Sequence, residues 1–333
     1  MELDVNNQGK NPLIQHPDFS ALGYQVIREL GHNQQGGRIT YLAHVRNSPQ
    51  QVVIKEFSLA HVGVDWLGIT AYERELQILK RLNHPRIPRY IDTFTTATGF
   101  YIVQEYKNAP SLAAIPDLHP EAIKQIAMSV LEILVYLQQG VDTIIHRDIK
   151  PENILVDEQF NAYLIDFDLA HIQGEKMALS SLASGTPYFM PPEEHLGQPF
   201  TPASDLYSVG ATLIYLLAKT RSISISQLVN GQYRFNLQEF STLNPRLRNW
   251  LSRMVEPRWQ YRYPNAAAAL AALEPIQVTG SGSFIESLTA FLRLGKQNTI
   301  IAVAIIGILA TAGITLIMSP QDGLAEQTQK IED

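Results

Sequence analysis

The eight residues from His146 to Asn153 read HRDIKPEN and set a carboxylate, an amine and an amide within one short run. Phosphoryl transfer to a hydroxyl needs a carboxylate that orients the hydroxyl and takes its proton, and Asp148 is such a group. It needs a cation against the charge of the moving phosphoryl, which Lys150 supplies. It also needs oxygen ligands for magnesium, such as Asn153. Core packing does not select this combination. Further along, Asp166 and Asp168 flank Phe167 directly after the strand-like Tyr163, Leu164 and Ile165, and upstream Lys55 closes the β-branched string Val52, Val53, Ile54.

These groups need elements to hold them, and the periodicity supplies two kinds. Runs rich in β-branched and aromatic residues at 24–30, 39–45, 51–57, 89–95 and 100–106 read as strands. One helical stretch, 71–82, lies among them, with Leu76, Leu79 and Leu82 at threefold spacing. After Pro110 the pattern turns helical. Ile123, Ile126, Ala127, Val130, Leu134 and Leu137 make one face of a long amphipathic helix opened by Pro120, and further helices read at 204–218, 245–255 and 265–273. A mostly β first lobe before a mostly α second lobe is an α+β, two-lobed architecture.

At this point the chain resembles the eukaryotic-like protein kinases of bacteria, whose catalytic loop reads HRD-x-K-x-x-N. The resemblance covers about residues 20–275. It implies an ATP- and Mg2+-dependent transferase acting on protein substrates, with Asp148 and Lys150 catalytic and Asn153 and Asp166 as metal ligands. Lys55 matches the strand lysine that holds the α- and β-phosphates. Its ion-pair partner is Glu73 or Glu75; Glu75, ten residues before Pro85, has the family spacing. The segment 103–107 resembles the hinge between lobes, so the Glu105 C=O and Lys107 N–H would pair with the adenine edge. Leu30, Gly31, Gly36, Gly37 and Thr40 belong to the hairpin over the nucleotide, Thr40 covering the adenine. Asp205 matches the buried aspartate that supports the catalytic loop, and Arg262 is placed to pair with Glu193. Lys150 two residues beyond Asp148, with Thr186 near the end of the activation segment, is the serine/threonine pattern. Arg147 would grip a phosphate on that segment, where Ser180, Ser181 and Ser184 are candidates for autophosphorylation.

The departures are specific. Asn33 stands where the second glycine of the hairpin belongs, and the loop is about two residues longer than usual. Pro191 replaces an alanine before Pro192 and Glu193. Asp168 replaces the glycine of the DFG motif and adds a carboxylate beside Asp166, whose direction the sequence leaves open. Glycine at that place permits backbone angles that aspartate tolerates better than most residues. These changes suit a non-catalytic scaffold, but the joint presence of Lys55, Asp148, Asn153 and Asp166 argues for turnover. A small-molecule phosphotransferase is disfavoured by the segment ending in Pro191, Pro192 and Glu193.

Composition narrows the class further. Of 333 residues, 45% are hydrophobic and 17% charged, which suits a packed core and not disorder. A net charge of −6 lacks the basic face that nucleic acid requires. With no cysteine, disulfides, thiolate metal sites and cysteine nucleophiles are excluded. Residues 299–318 carry no charge and, at ~1.5 Å per residue, span ~30 Å, the thickness of a bilayer core. The sequence therefore predicts one transmembrane helix. Its expected boundaries are a polar lead at 1–19, a kinase domain at 20–275 divided near 106, a juxtamembrane linker at 276–298, the span, and an acidic tail at 319–333. Phe284, Ile285, Leu288, Phe291 and Leu292 suit either an interfacial helix or one packed back on the domain. Arg293 and Lys296 before the span predict a cytoplasmic kinase domain, and no apolar run at the start predicts a cleavable signal peptide. Gly307, Thr311 and Thr315, four apart, offer a small-residue face through which the helix could form a homodimer.

Overall fold

The computed structural model describes residues 16–33, 38–58, 66–173, 188–220 and 223–278. Gly36, Gly37, Ser180, Ser181, Ser184, Thr186, the linker beyond residue 278 and the predicted span at 299–318 lie outside the described residues. Among the described residues, no helix is long and apolar enough to cross a membrane.

The first lobe is a five-stranded antiparallel sheet in the order β1-β2-β3-β5-β4. Its strands are β1 (Tyr24–Asn33), β2 (Arg38–Val45), β3 (Gln51–Ser58), β4 (Tyr90–Thr95) and β5 (Gly99–Glu105). Side chains alternate along β3. Val52 and Ile54 pack with Phe19, Tyr41 and Tyr101 on one face. Glu56 on that face is buried and accepts hydrogen bonds from the Tyr41 (2.9 Å) and Tyr101 (3.1 Å) hydroxyls. Val53 and Lys55 look the other way, into the cleft.

Helix α1 (Trp66–Arg81) begins five residues before the expected start at 71. Gly68 and Thr70, weak helix formers, hide its first turns from a periodicity argument. Its buried residues are Tyr72, Glu75, Ile78 and Leu79, and Tyr72 stacks on Phe100 of β5 with ring centroids 5.0 Å apart. A charged residue at 0% exposure in that stripe is a departure from core chemistry.

The second lobe is built on α2 (Pro120–Gln139), whose predicted apolar face is buried throughout. Helix α4 (Pro202–Lys219) is buried nearly all round because α2, α6 (Pro245–Met254) and α7 (Ala266–Leu273) all pack on it. Gly210 is required where α4 meets the end of α6: a Cβ there would lie 2.8 Å from the Met254 Cβ. The compact unit runs to Val278, three residues past the expected end at 275. Ile276 and Val278 are buried, and the Val278 and Ile276 carbonyls accept from the Asn244 N–H (2.9 Å) and Lys124 Nζ (2.7 Å).

Two short antiparallel pairs bring the chemistry to the cleft. β6 (Ile144–Ile145) pairs with β9 (His171–Ile172), and β7 (Ile154–Val156) with β8 (Ala162–Leu164). Residues 146–153 therefore leave β6 and return into β7, and Asp166 follows β8 on the same edge.

Candidate active site

Asp148 is bound on both oxygens by its own loop. Lys150 Nζ donates to Oδ1 (3.0 Å) and Oδ2 (2.8 Å), and Asn153 Nδ2 donates to Oδ2 and to the Asp148 carbonyl, both at 2.8 Å. Burial pushes the Asp148 carboxyl up, and Lys150 works against that rise. Asn153 spends its amide nitrogen on Asp148, which leaves its amide oxygen as the group's remaining ligand atom.

The loop is anchored from beneath. Asp205, on α4, accepts the His146 N–H (2.8 Å) and the Arg147 N–H (2.9 Å), one on each oxygen. Burial raises its pKa to about 6 in spite of those two bonds. They hold Arg147 at φ 69°, a left-handed conformation that costs a residue with a Cβ about 1–2 kcal/mol. His146 is fully buried with its pKa lowered by burial to about 4, so it stays neutral. Its Nδ1 accepts the Asp148 N–H (3.3 Å), which makes Nε2 the donor to the Ile165 carbonyl (3.2 Å). One imidazole thus ties the catalytic loop to the segment carrying Asp166.

Lys55 reaches three carboxylates: Glu75 Oε1 at 2.8 Å, Asp166 Oδ1 at 2.6 Å and Asp168 Oδ1 at 3.1 Å. Glu73, the competing partner in the sequence, is exposed. Burial opposes the Lys55 charge, but Asp166 and Glu75 outweigh it and hold its pKa above the usual lysine value. Burial likewise opposes the Asp166 charge, and Lys55 and then Arg38 hold its pKa below the usual carboxylate range. Oxygens of Glu75, Asp166 and Asp168 lie within 4.8 Å of one another, a spacing that suits a cation, and the Lys55 ammonium fills that role. The left-handed residue of this loop is Asp166 (φ 68°), and Asp168 does not share that conformation, so the backbone freedom of a glycine at 168 is not required.

One cavity of about 710 Å³ joins these parts. Leu30, Gly31 and Thr40 line it from the hairpin, Glu105 and Lys107 from the link between lobes, and Lys55, Lys150, Asn153 and Asp166 from the polar end. Asp148 and Glu75 sit behind Lys150 and Lys55, and Gly36 and Gly37 lie outside the described residues. The link is fixed by its side chains: Lys107 Nζ donates to Glu105 Oε1 (2.7 Å) and to the Pro85 carbonyl (2.9 Å).

Two contacts here were not expected from the sequence. Arg147, expected to grip a phosphate on the activation segment, has Glu194 as its anionic partner, Nη2 to Oε1 at 2.6 Å, with both side chains buried. Its guanidinium also lies 4.1 Å from the Phe200 ring centroid. The physical reason is proximity: α3 (Pro192–His195) carries two adjacent carboxylates, and when Glu193 turns to Arg262 (2.7 Å), Glu194 faces the catalytic loop. The doubled acid was the only available signal. The second is Arg38, which ion-pairs with Asp168 over the cleft. Its signal was the two-residue spacing from Thr40 on one strand.

Comparison with known proteins agrees with this geometry. The chain is 32% identical over 273 residues to serine/threonine-protein kinase D of Synechocystis sp., covering 78% of this chain and 53% of that protein. It is 32% identical over 226 residues to serine/threonine-protein kinase B of the same organism, covering 61% and 37%. It is 39% identical over 201 residues to MAP3K epsilon protein kinase 2 of Arabidopsis thaliana, covering 58% and 14%. The chain thus spans about half or less of the length of these relatives. The family model described as protein kinase domain matches residues 24–271, the two lobes and the cleft between them, and the chain belongs to the protein kinase family.

Proposed function

We propose that the chain transfers the γ-phosphate of ATP to serine and threonine hydroxyls of proteins. The observation that carries this is that Lys150 and Asn153, which together hold Asp148, line the same cavity as Lys55 and Asp166, with Glu75 holding Lys55 from behind. The serine/threonine kinases among its relatives support the substrate class. ATP and magnesium are the family's requirements, and the residues present fit both. The cavity volume is in the range of small-molecule sites. Asp166 and Asn153 offer the carboxylate and amide oxygens that magnesium takes. Bound there, magnesium would offset phosphate charge.

Asp148 would hold the substrate hydroxyl and take its proton, and Lys150 would face the transferring phosphoryl. Lys55, held by Glu75, would bind the α- and β-phosphates. The backbone at Glu105 and Lys107 would take the adenine edge under Leu30 and Thr40, and Gly31, Gly36 and Gly37 would bring backbone amides towards the phosphates. The test is phosphoamino-acid analysis of a generic protein substrate after incubation with labelled ATP and magnesium. Phosphoserine and phosphothreonine are expected; nucleotide binding without transfer would favour a scaffold.

Acid should stop the reaction before it unfolds the protein. Asp205, with a pKa of about 6, protonates first and gives up one of the N–H bonds that shape residues 146 and 147, and the raised Asp148 adds to the same limb. The sign for stability is opposite. The folded pKa of Asp205 lies above its ordinary 3.8, so the folded state takes up this proton first. Its titration then favours folding as pH falls from about 6 towards 4. A rate profile taken beside far-UV circular dichroism should show activity falling below pH about 6 with the fold intact. Rates unchanged from pH 7 to 5 would refute this.

The segment at 299–318 supports a single-pass membrane tether with the kinase domain cytoplasmic, and pairing through Gly307 would raise the effective concentration for phosphorylation in trans. Autophosphorylation of Ser180 or Ser181 belongs to the same proposal. Because Arg147 already has Glu194, such a phosphate would add to that arginine's counter-charge and not supply it. The full chain should sediment with membranes and resist carbonate extraction, while residues 1–278 remain in the supernatant. Equal partitioning of the two would rule out the tether.

A further inference from the structure

Three charged side chains, Arg38, Lys55 and Asp168, meet at the phosphate end of the cleft, and the scheme above gives a role to Lys55 alone. Arg38 opens β2, and strand alternation puts it on the same face as Thr40, which pairs with Lys55 across β2 and β3. Arg38, Thr40 and Lys55 all line the cavity. The Arg38 guanidinium lies 5.5 Å from the Phe57 ring centroid and ion-pairs with one oxygen of Asp168. The other oxygen of Asp168 accepts from Lys55 at 3.1 Å. One carboxylate therefore bridges two cations, and it does so at 11% exposure, with Arg38 at 23%.

Resting on the nucleotide site proposed above, we infer that Arg38 is a phosphate-binding residue of that site and that Asp168 is its displaceable counter-anion. A half-buried guanidinium beside a buried ammonium needs an anion when no phosphate is present, and Asp168 is that anion. Arg38 has the fork of donors that suits phosphate oxygens, whereas Lys55 offers a point charge. Asn33, standing where the second glycine of the hairpin belongs, pairs opposite Arg38 in the strand register, so Arg38 adds a side-chain donor at the start of β2. Charge sets the direction of exchange. Glu75, Asp166 and Asp168 face Lys55 and Arg38, three carboxylates against two cations. An entering phosphate is repelled by Asp168 and attracted by the cations it occupies, so it displaces the aspartate from both.

A structural salt bridge and an exchange pair differ in sign. Loss of either partner of a structural bridge weakens the site in the same direction. Here the two partners act oppositely. Binding of ATP and of adenosine to the full chain by calorimetry reads this without turnover. Arg38→Ala should weaken ATP roughly tenfold, the worth of one charge-assisted hydrogen bond, and change adenosine by less than about twofold. Asp168→Asn should tighten ATP severalfold and leave adenosine alone. Arg38→Lys, which keeps the charge and loses the fork, should fall between wild type and alanine, and it serves if the alanine variant does not fold. ATP affinity unchanged by Arg38→Ala, or weakened alike by both substitutions, overturns the inference. A wild-type chain that binds adenosine but gains nothing from the phosphates overturns it too. One that binds neither ligand overturns the nucleotide site as well.

Discussion

Asp148→Asn is expected to lower kcat by roughly 10²–10⁴-fold, the range that one positioned general base contributes, while leaving the KM for ATP within about threefold. The geometry sets both halves of that expectation. Asp148 lies behind Lys150 at the polar end of the cavity, held by Lys150 and Asn153, and its hydrogen bonds reach neither the link at Glu105 and Lys107 nor Lys55. Asparagine keeps the shape and one accepting oxygen, so the Asn153 bond survives. What goes is the negative charge that can take a proton, together with the anion opposite Lys150. Lys150 is 21% exposed and can turn to solvent, so the fold should lose little. Steady-state kinetics on a protein substrate, paired with a thermal melt of the unliganded chain, separates the two effects. Equal phosphate incorporation by variant and wild type would remove Asp148 from the chemistry.

What could be read in the sequence and what could not divides along contact distance. The two lobes, the strand set and the buried face of α2 were legible because alternation and 3.6-residue periodicity are local signals. So was the gathering of Lys55, Asp148, Asn153 and Asp166 in one cleft, since each lies in a short run whose residue types make little sense as packing. Choosing Glu75 over Glu73 needed only spacing along one helix, and Lys55 reaches Glu75 at 2.8 Å. The hidden parts depend on which way a side chain turns across 47 residues of chain for Arg147 and Glu194, 69 for Glu193 and Arg262, and more than a hundred for Arg38 and Asp168. Nothing near Asp168 announces that its carboxylate meets Arg38 from another lobe. Nothing near Arg147 announces Glu194, because the choice between Glu193 and Glu194 is made by Arg262, far downstream. Ile276 and Val278 were lost beyond the expected domain end for a similar reason: Pro275 and the glycine–serine run after it resemble a boundary, and only the packed core shows that the chain between them is buried.

Arg262→Ala should destabilise the protein by about 3–5 kcal/mol, the cost of leaving one member of a buried ion pair without its partner. At this domain size that is a fall in Tm on the order of 10 °C. Arg262 uses all five of its N–H donors. Nη1 and Nη2 grip the two oxygens of Glu193 at 2.7 Å, and the rest go to the carbonyls of Ala203 (3.0 Å), Glu256 (2.6 Å) and Pro257 (3.1 Å). Its guanidinium also lies 4.9 Å from the Tyr207 ring centroid. Truncation therefore leaves the carboxylate with the Ser204 hydroxyl (2.8 Å) as its remaining side-chain partner among the described residues and frees three carbonyls. Lysine cannot supply two parallel bonds, so Arg262→Lys should recover only a minor part. Removing both charges, as Arg262→Met with Glu193→Leu, should recover more than lysine does, because no buried charge is then left alone. The same substitution should reach the catalytic loop. Glu193 and Glu194 are neighbours on α3, and if Glu193 loses its arginine the turn that aims Glu194 at Arg147 loosens. The activity of folded Arg262→Ala should therefore fall as well, through kcat more than through the KM for ATP. A variant that melts within about 2 °C of wild type would show that the pair contributes nothing net to the fold.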